Sequence, residues 1–321
     1  MPDCARSVVV TGAGGFVGQA LGALLTARGY AVHGGVRDAG TPLPAGVRPV
    51  AMGDLDAPVD WRPLLDGVDS VVHLAARVHR PDRATLETCR RINVEATRRL
   101  AEQAVAAGVR RFVFLSTVKV LGEESPARPF CDSDRPAPCD AYAISKYEAE
   151  QGLFELAART GLDVVVLRPP LVYGPGVKAN FLALMNWLAK GRPLPLGALK
   201  NRRSFCYLGN LCDAILAALE HPAAVNRAFL VGDAETLALK DFVGRLALAL
   251  GHPAHLWPVP AAWLEAGGAL LGKGDSVRRL TRSLEIEVSG IRAALGWQPP
   301  CAIEAGLIQT AQAYRARQRH T

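Results

Sequence analysis

Short hydrophobic runs, rich in β-branched residues, alternate along the first half of the chain with longer segments whose hydrophobic positions recur at helical spacing. The longer segments at 84–107 and 142–158 predict helices. Continuous hydrophobicity in a short run is typical of a strand buried on both faces of a parallel sheet. Such runs lie at residues 7–10, 30–36, 47–52, 70–74, 111–115 and 162–167. This alternation predicts a Rossmann-type, doubly wound parallel α/β sheet with right-handed crossovers.

The pattern changes after Arg168-Pro169-Pro170, where proline and glycine become frequent and the helical segments shorten. We expect a smaller, mostly helical substrate-binding lobe there. Because 205–231 regains a strand–helix–strand pattern, residues 1–171 and 204–234 are assigned to the dinucleotide-binding domain. Residues 172–203 and 235–321 are assigned to the nucleotide-sugar domain. The hydrophobic stretch 246–271 contains three prolines and Glu265, so it predicts packing in the second lobe rather than a transmembrane segment; weak peripheral membrane contact is the alternative.

Composition narrows the class of protein. The chain has 321 residues, half of them hydrophobic, which is enough for one large domain with a smaller lobe. Seven cysteines without paired short spacing argue against a disulfide framework or a metal site and favour the reducing cytoplasm. The net charge of +7 comes from scattered arginines, which suits anionic small molecules better than nucleic acid. Asp3 and Arg6 interrupt any signal-peptide pattern.

A glycine-rich turn joins the first predicted strand to the first predicted helix. Gly12, Gly15 and Gly18 lack side chains, so a pyrophosphate can approach the backbone and the helix can pack close to the strand. Phe16 and Val17 then open the helix, whose free N–H groups and dipole favour an anion. The context of strand, turn and helix predicts dinucleotide binding rather than a tight turn without a ligand.

Acid–base chemistry is predicted at Tyr142 and Lys146, which share one face of a helix at a spacing of four residues. A nearby ammonium favours the phenolate, and this would lower the pKa of Tyr142 towards the working range. Ser116 and Thr117 end the fifth strand, where a hydroxyl can hydrogen-bond a substrate carbonyl or alcohol. Taken alone, the Tyr142–Lys146 pair is compatible with an ordinary helix surface, and Ser116 and Thr117 are compatible with the polar cap of a strand end.

Together these residues resemble the extended short-chain dehydrogenase/reductase family, in its branch of nucleotide-sugar 4-epimerases and 4-ketoreductases. The resemblance implies that Thr117 takes the catalytic position, with Ser116 beside the nicotinamide. Lys146 would also hold the nicotinamide ribose, and Asn93 matches a structural and proton-relay position. The cofactor-binding set implied beyond the glycine loop and the Tyr142–Lys146 pair is Asp54, Leu55, Leu74, Ala75, Ala76, Pro169 and Val172.

The second lobe also resembles this branch. By that resemblance Asn180 and Arg203 would hold the sugar diphosphate, since a guanidinium fork suits phosphate oxygens. The segment Leu194-Pro195-Leu196 would line the base edge with backbone groups, with Arg77 and Arg282 as further substrate-binding residues. The family likewise implies a homodimer formed through the helices at 84–107 and 142–158.

The chain departs from the family at the end of the second strand. Sugar epimerases commonly carry an acidic residue there, whereas Val36 stands at or near that position and Arg37 follows. Arg37 can face a ribose phosphate, so NADP(H) is the expected cofactor, although Asp38 leaves NAD(H) possible.

The leading hypothesis is therefore reduction by NAD(P)H of the C4 ketone of a UDP-linked 4-keto-6-deoxy-N-acetylhexosamine, for a surface polysaccharide precursor. The first alternative is an NAD-dependent UDP-sugar 4-epimerase that uses the same residues. The second is a non-catalytic nucleotide-sensing regulator, which the Tyr142–Lys146 pair disfavours.

Overall fold

The main sheet has seven parallel strands. The computed structural model describes residues 6–77 and 85–319. The strands of the whole described chain are β1 Ser7–Thr11, β2 Ala31–Val36, β3 Val47–Ala51, β4 Ser70–His73, β5 Arg111–Leu115, β6 Asp163–Arg168, β7 Leu171–Tyr173, β8 Arg202–Tyr207, β9 Arg227–Leu230 and β10 Thr236–Ala238. The main sheet has the order β3-β2-β1-β4-β5-β6-β9, and every pairing in it is parallel. The order reverses between β1 and β4, which is where a doubly wound sheet opens a ligand crevice.

Helices cover both faces of this sheet and form most of the second lobe. They are α1 Phe16–Ala27, α2 Arg62–Leu65, α3 Leu86–Cys89, α4 Ala96–Ala106, α5 Ala141–Thr160, α6 Ala179–Ala189, α7 Leu208–Glu220, α8 Leu239–Ala249, α9 Ala261–Leu270, α10 Gly274–Thr281, α11 Ser289–Leu295 and α12 Ile303–Arg319. A π-helical segment, Arg90–Glu95, joins α3 to α4. In the part of the chain that the structure describes, no helix is long and hydrophobic enough to cross a membrane.

The hydrophobic runs form strands because both faces of the sheet are covered. Val8 and Val10 pack into the core on one face and Val9 into the core on the other, and all three are fully buried. Successive strand residues point to opposite faces, so only a strand covered on both sides needs an unbroken hydrophobic run. Full burial of each such side chain contributes about 1.5–3 kcal/mol. The predicted doubly wound parallel fold is confirmed.

The second lobe is built on a three-stranded sheet, β10-β8-β7, in which β7 and β8 are parallel and β8 and β10 antiparallel. Its core is aromatic: Phe205 and Phe242 stack with ring centroids 3.6 Å apart, and Tyr173 packs edge-on against both. Of the predicted strand–helix–strand segment, β9 returns to the main sheet beside β6, whereas β8 joins the small sheet. The domain limits of the sequence analysis remain a prediction.

Two expectations about helices need correction. The helix expected at 84–107 begins at Leu86, with residue 84 outside the described residues, and it changes to π-helical geometry around Asn93. The stretch 246–271 was expected to pack within the second lobe, and Leu246 at its start is fully buried. In α9, however, Trp263 and Leu270 are exposed, because the helix packs mainly against α10 and leaves its outer face uncovered.

Candidate active site

The glycine turn between β1 and α1 leaves a cradle of backbone beside the end of β4. Gly12 has φ of +68°, and a Cβ on it would lie 3.0 Å from the Ala75 nitrogen. A Cβ on Gly18 would lie 2.3 Å from the Gly12 carbonyl oxygen, so any side chain there would displace the turn. Gly15 is the N-cap of α1 and brings no side chain to its first N–H groups. A dinucleotide pyrophosphate fits such a helix start.

The residues expected at the adenosine end lie at the surface beside this turn. Val36, the last residue of β2, is buried, whereas Arg37 and Asp38 directly after it are exposed. The Asp38 carboxylate accepts a hydrogen bond from the Gly40 N–H at 3.0 Å. Asp54 is exposed, and Leu55 packs at the edge of the core. Arg37 is therefore free to face a ribose phosphate, which remains a prediction.

A buried histidine connects this turn to the helix that follows β4. The Thr97 hydroxyl donates to the Asn93 carbonyl at 2.7 Å, so its oxygen accepts from His73 Nε2 at 2.9 Å. His73 Nδ1 then accepts from the Thr11 hydroxyl at 2.7 Å; the tautomer is assigned from this hydrogen-bond network. Burial, with a smaller contribution from Lys146, lowers the pKa of His73 to about 3, so the imidazole is neutral.

Asn93 lies in the π-helical segment and holds the chain after β4 against α5. Its side-chain Nδ2 donates to Ser145 Oγ at 3.0 Å and to the Arg77 carbonyl at 3.2 Å, and its Oδ1 accepts from the Arg77 N–H at 2.8 Å. The Ser145 hydroxyl donates to the Tyr142 carbonyl at 2.8 Å. A π-turn of this kind is frequent at functional sites because it re-aims a side chain. These contacts fit the structural part of the role expected of Asn93, and the proton relay remains a prediction.

Thr117 and Tyr142 are placed by elements that share an ion pair. Thr117 caps the 3₁₀ turn Val118–Val120, accepting the Lys119 N–H at 3.3 Å. Lys119 Nζ lies 2.6 Å from the Asp140 carboxylate, and Asp140 is also the N-cap of α5, accepting from the Ala143 N–H. The Thr117 turn is therefore tied to the first turn of α5, which carries Tyr142.

Lys146 is buried on α5, with Nζ 3.7 Å from the centroid of the Phe114 ring. Burial lowers the pKa of Lys146 to about 7, and the Glu150 carboxylate opposes that shift. The pKa of Tyr142 is raised above its ordinary value by burial, with smaller contributions from Asp140 and Cys89. Lys146 is not among the groups that shift the pKa of Tyr142 here, so the expectation that its ammonium lowers that pKa stays a prediction.

Behind this helix lies a buried ion pair that sequence reasoning missed. Glu150 is fully buried and receives Arg168 Nη2 at 2.5 Å and Nε at 3.2 Å. The Ser116 hydroxyl also donates to Glu150. The hydroxyl of Ser116 is thus occupied inside the protein, which leaves Thr117 as the better candidate to contact substrate. The signal available in the sequence was the spacing of four residues between Lys146 and Glu150.

The strand that follows β6 closes over this end of the sheet. Pro169 accepts the Val118 N–H on its carbonyl at 3.0 Å, which holds the Thr117 turn beside β6. Val172 is half-buried in β7 and packs against the main core. Leu74, Ala76 and Arg77 are half-buried after β4, next to the glycine turn. The cofactor role expected of these residues, and the substrate role of Arg77, are untested predictions.

Two of the arginines expected at the diphosphate come together in the second lobe. Arg203, in β8, donates from Nη1 to the carbonyls of Arg279 at 2.5 Å and Arg282 at 3.1 Å. Burial lowers the pKa of Arg203. Arg282 is half-exposed and lies 3.6 Å from the carboxylates of Glu124 and Glu265. Asn180, at the start of α6, is exposed.

The backbone N–H groups of Leu194 and Leu196, expected to line the base, are already hydrogen-bonded within the protein. Leu194 donates its N–H to the His255 carbonyl and accepts the Trp257 N–H, both at 2.9 Å, and Leu196 donates to the Leu194 carbonyl. Pro195 between them has no N–H. This segment pairs with the chain before α9, so it offers no free N–H donor to a base. A contact from its backbone carbonyls stays a prediction.

Comparisons with known proteins agree with this arrangement. The sequence profile of the NAD dependent epimerase/dehydratase family matches residues 8–232. A Vibrio cholerae protein named UDP-glucose 4-epimerase is 41% identical over 315 residues, covering 96% of this chain and 95% of its own. The structure is similar to MoeE5 in complex with UDP-glucuronic acid and NAD, with a TM-score of 0.79 and 26% identity over 97% and 99% of the two chains. A UDP-glucuronic acid 4-epimerase from Bacillus cereus shares the fold, with a TM-score of 0.79 and 21% identity over 98% and 99%.

Proposed function

The chain belongs to the NAD dependent epimerase/dehydratase family, and on that premise we propose that it interconverts the C4 epimers of a UDP-linked sugar with NAD. One observation carries the proposal: the chain is 41% identical over nearly its whole length to a protein named UDP-glucose 4-epimerase. The comparisons thereby favour the epimerase alternative over the leading 4-ketoreductase hypothesis of the sequence analysis.

The residues of the chain supply binding and proton transfer. Bound NAD would supply a reversible acceptor for the hydride at the sugar C4. Tyr142 takes the proton of the C4 hydroxyl as the ketone forms. It returns that proton to the C4 oxygen after the sugar has turned to present the opposite face of C4 to the hydride. Lys146 stabilises the phenolate through its charge, and Thr117 orients the C4 oxygen by a hydrogen bond. Half-buried Tyr142 needs this help because burial alone raises its pKa.

The test is incubation of the purified protein with UDP-glucose and with other UDP-sugars, without added reductant, with products resolved by NMR. We expect interconversion of two C4 epimers and a protein that copurifies with NAD, because an epimerase returns the hydride to the same sugar. If only a UDP-linked 4-ketosugar is consumed, and only with a supplied reduced cofactor, the epimerase proposal fails.

A specific observation favours reductase activity as the second candidate. Val36 is buried where an acidic residue would accept the ribose hydroxyls of NAD, and Arg37 is exposed directly after it. A reductase must exchange spent cofactor at each turnover and would draw on NADPH. A charge-assisted hydrogen bond from Arg37 contributes about 1.5–3 kcal/mol, or at least about tenfold preference for NADPH over NADH.

Arg37→Ala tests the second candidate, with Arg48→Ala as the control because Arg48 is exposed on the neighbouring β3. We expect Arg37→Ala to remove most of the preference for NADPH while activity with NADH survives, and Arg48→Ala to change neither. A wild-type protein without that preference contradicts the role of Arg37 and leaves the NAD-dependent epimerase.

We further propose a homodimer that acts on cytoplasmic UDP-sugars for surface polysaccharide synthesis. The expected dimer face includes the helices at 84–107 and 142–158. Within one chain, Arg90 of the π-helical segment pairs there with Glu148 of α5 through two guanidinium nitrogens. Light scattering after size exclusion gives the mass in solution; a monomer at working concentrations contradicts the dimer without affecting the catalytic proposal.

A further inference from the structure

The outer face of α9 presents hydrophobic side chains to solvent. Trp263 is 75% exposed, Leu270 is 91% exposed and Leu271, directly after the helix, is 75% exposed. Trp263, Ala266 and Leu270 recur at intervals of three and four residues, and Leu271 extends the row past the end of the helix. We call these four residues the α9 stripe. Large side chains exposed as a contiguous group mark an interaction surface rather than ordinary surface variation.

The charged groups around the α9 stripe are arranged to leave it uncharged. Glu265 is the one charged residue within α9, and its carboxylate accepts the Thr281 hydroxyl at 2.7 Å and lies 3.6 Å from Arg282, on the side packed against α10. Lys273, in the turn after α9, and Arg278, on α10, are exposed, and neither pairs with an acidic group among the described residues. Asp275, at the start of α10, is the exposed acid nearby.

We propose that the α9–α10 hairpin binds the surface of an anionic phospholipid bilayer, with the α9 stripe inserted among the acyl chains at the headgroup boundary. α9 is hydrophobic around most of its circumference, and its basic neighbours lie in the following turn and on α10. Exposed leucines with a tryptophan that can lie at the headgroup level, and basic residues beside them, favour such binding. Lys273 and Arg278 supply attraction to anionic headgroups. The helix lies along the surface and does not cross the membrane. The proposal does not depend on the catalytic site.

The size of the stripe favours a bilayer over a second copy of the chain. The three large side chains of the stripe together expose on the order of 400–500 Å² of accessible surface, since a tryptophan side chain presents about 150–250 Å² and most of each side chain is exposed. A stable protein interface buries about 800 Å² on each partner. Insertion into a bilayer has no such requirement, because each hydrophobic side chain that leaves water contributes separately.

The experiment measures cosedimentation of the full chain with vesicles of phosphatidylcholine alone and of phosphatidylcholine with about one-third phosphatidylglycerol. We expect binding to the anionic vesicles and a blue shift of tryptophan emission. Leu270→Gln with Leu271→Gln should reduce the partition coefficient about tenfold or more, because two hydrophobic side chains are lost without a change of charge. Lys273→Gln with Arg278→Gln should reduce the preference for anionic vesicles.

Ile308→Gln is the matched control, because Ile308 is 48% exposed on α12 and its substitution removes a comparable side chain elsewhere. It should bind vesicles like the wild type. Trp263→Ser, at the other end of the stripe, repeats the test if the double leucine variant melts early. Absence of binding to either vesicle, or equal binding by all variants, overturns the proposal. A wild-type oligomer that the leucine variant dissociates also overturns it, since the stripe would then bind a second copy.

Discussion

Substitution of Glu150 by glutamine separates two roles of the buried ion pair behind the catalytic helix. Glu150 lies one helical turn after Lys146, is fully buried, and accepts hydrogen bonds from Arg168 and Ser116. Glutamine keeps the volume and one acceptor oxygen but removes the negative charge. The change therefore leaves the Arg168 guanidinium buried without its hydrogen-bonded counter-charge, with only the weaker electrostatic interaction with Asp132 remaining.

The expected loss of stability follows from that unpaired charge. Breaking a buried ion pair by removing one partner costs about 3–5 kcal/mol, and the retained oxygen places Glu150→Gln near the lower end. A second substitution, Arg168→Gln, should recover much of the loss, because it removes the uncompensated charge. Urea unfolding of the single and double variants measures both the loss and the recovery of the free energy of unfolding.

The same substitution should shift the pH dependence of turnover. The pKa of Lys146 is about 7, lowered by burial, and Glu150 opposes that shift. Without the carboxylate the pKa of Lys146 falls further. If turnover needs the ammonium, the rate declines as the pH rises through this pKa, so the decline begins at a lower pH in Glu150→Gln. A purely structural defect would lower turnover by the same factor at every pH.

Glu148→Gln provides the control on the same helix. Glu148 is partly exposed and pairs with the exposed Arg90, so its loss should cost less than about 1 kcal/mol and leave the pH profile unchanged. If Glu150→Gln is as stable as Glu148→Gln, the ion pair does not contribute as argued. If its pH profile matches the wild type, Glu150 does not set the charge of Lys146.

Three further substitutions test the site. Tyr142→Phe should reduce turnover by about two orders of magnitude or more while NAD binding, measured by calorimetry, persists; comparable turnover would remove Tyr142 from the mechanism. Gly18→Ala should abolish NAD binding, because its Cβ would lie 2.3 Å from the Gly12 oxygen; unchanged affinity would contradict the cradle. The free energy of unfolding of the wild type, measured in urea, should fall by up to about 1.4 kcal/mol for each pH unit below 6.5. The reason is that His73 stays neutral in the folded protein down to its pKa of about 3, whereas the same imidazole takes up a proton in the unfolded chain. His73→Gln should lack this part of the pH dependence.

The main sheet could be predicted from the sequence almost to the residue. The run 111–115 matches β5, and 30–36 differs from β2 by one residue. These strands are buried on both faces, so each residue carries the signal. The glycine turn and the Tyr142–Lys146 helix were predictable for a related reason, because local spacing alone fixes which residues share a turn or a face.

Features that depend on contacts distant in sequence could not be predicted in this way. Ser116 was expected beside the nicotinamide, but its hydroxyl bonds Glu150, 34 residues away. Leu194 was expected to offer its backbone to a base, but that backbone pairs with His255 and Trp257. The hydrophobic residues of α9 were expected to pack in the second lobe. Ala261 and Leu264 do so, but no local pattern indicates that the outer face of the helix stays uncovered.

A continuous series of buried hydrogen bonds links the cofactor turn to the catalytic helix, and this explains why the site tolerates so many buried polar groups. It runs from the end of β1 to the first turn of α5 through Thr11, His73, Thr97, Asn93, Ser145 and the carbonyl of Tyr142. Each donor in the series has an acceptor, so burial carries little cost. Turnover requires that the position of the phenol relative to the cofactor be fixed to within about 1 Å. The series crosses β4 and the π-helical segment. Substitution of a residue in its middle should therefore displace the Tyr142 phenol relative to the glycine turn, although that residue contacts neither of them.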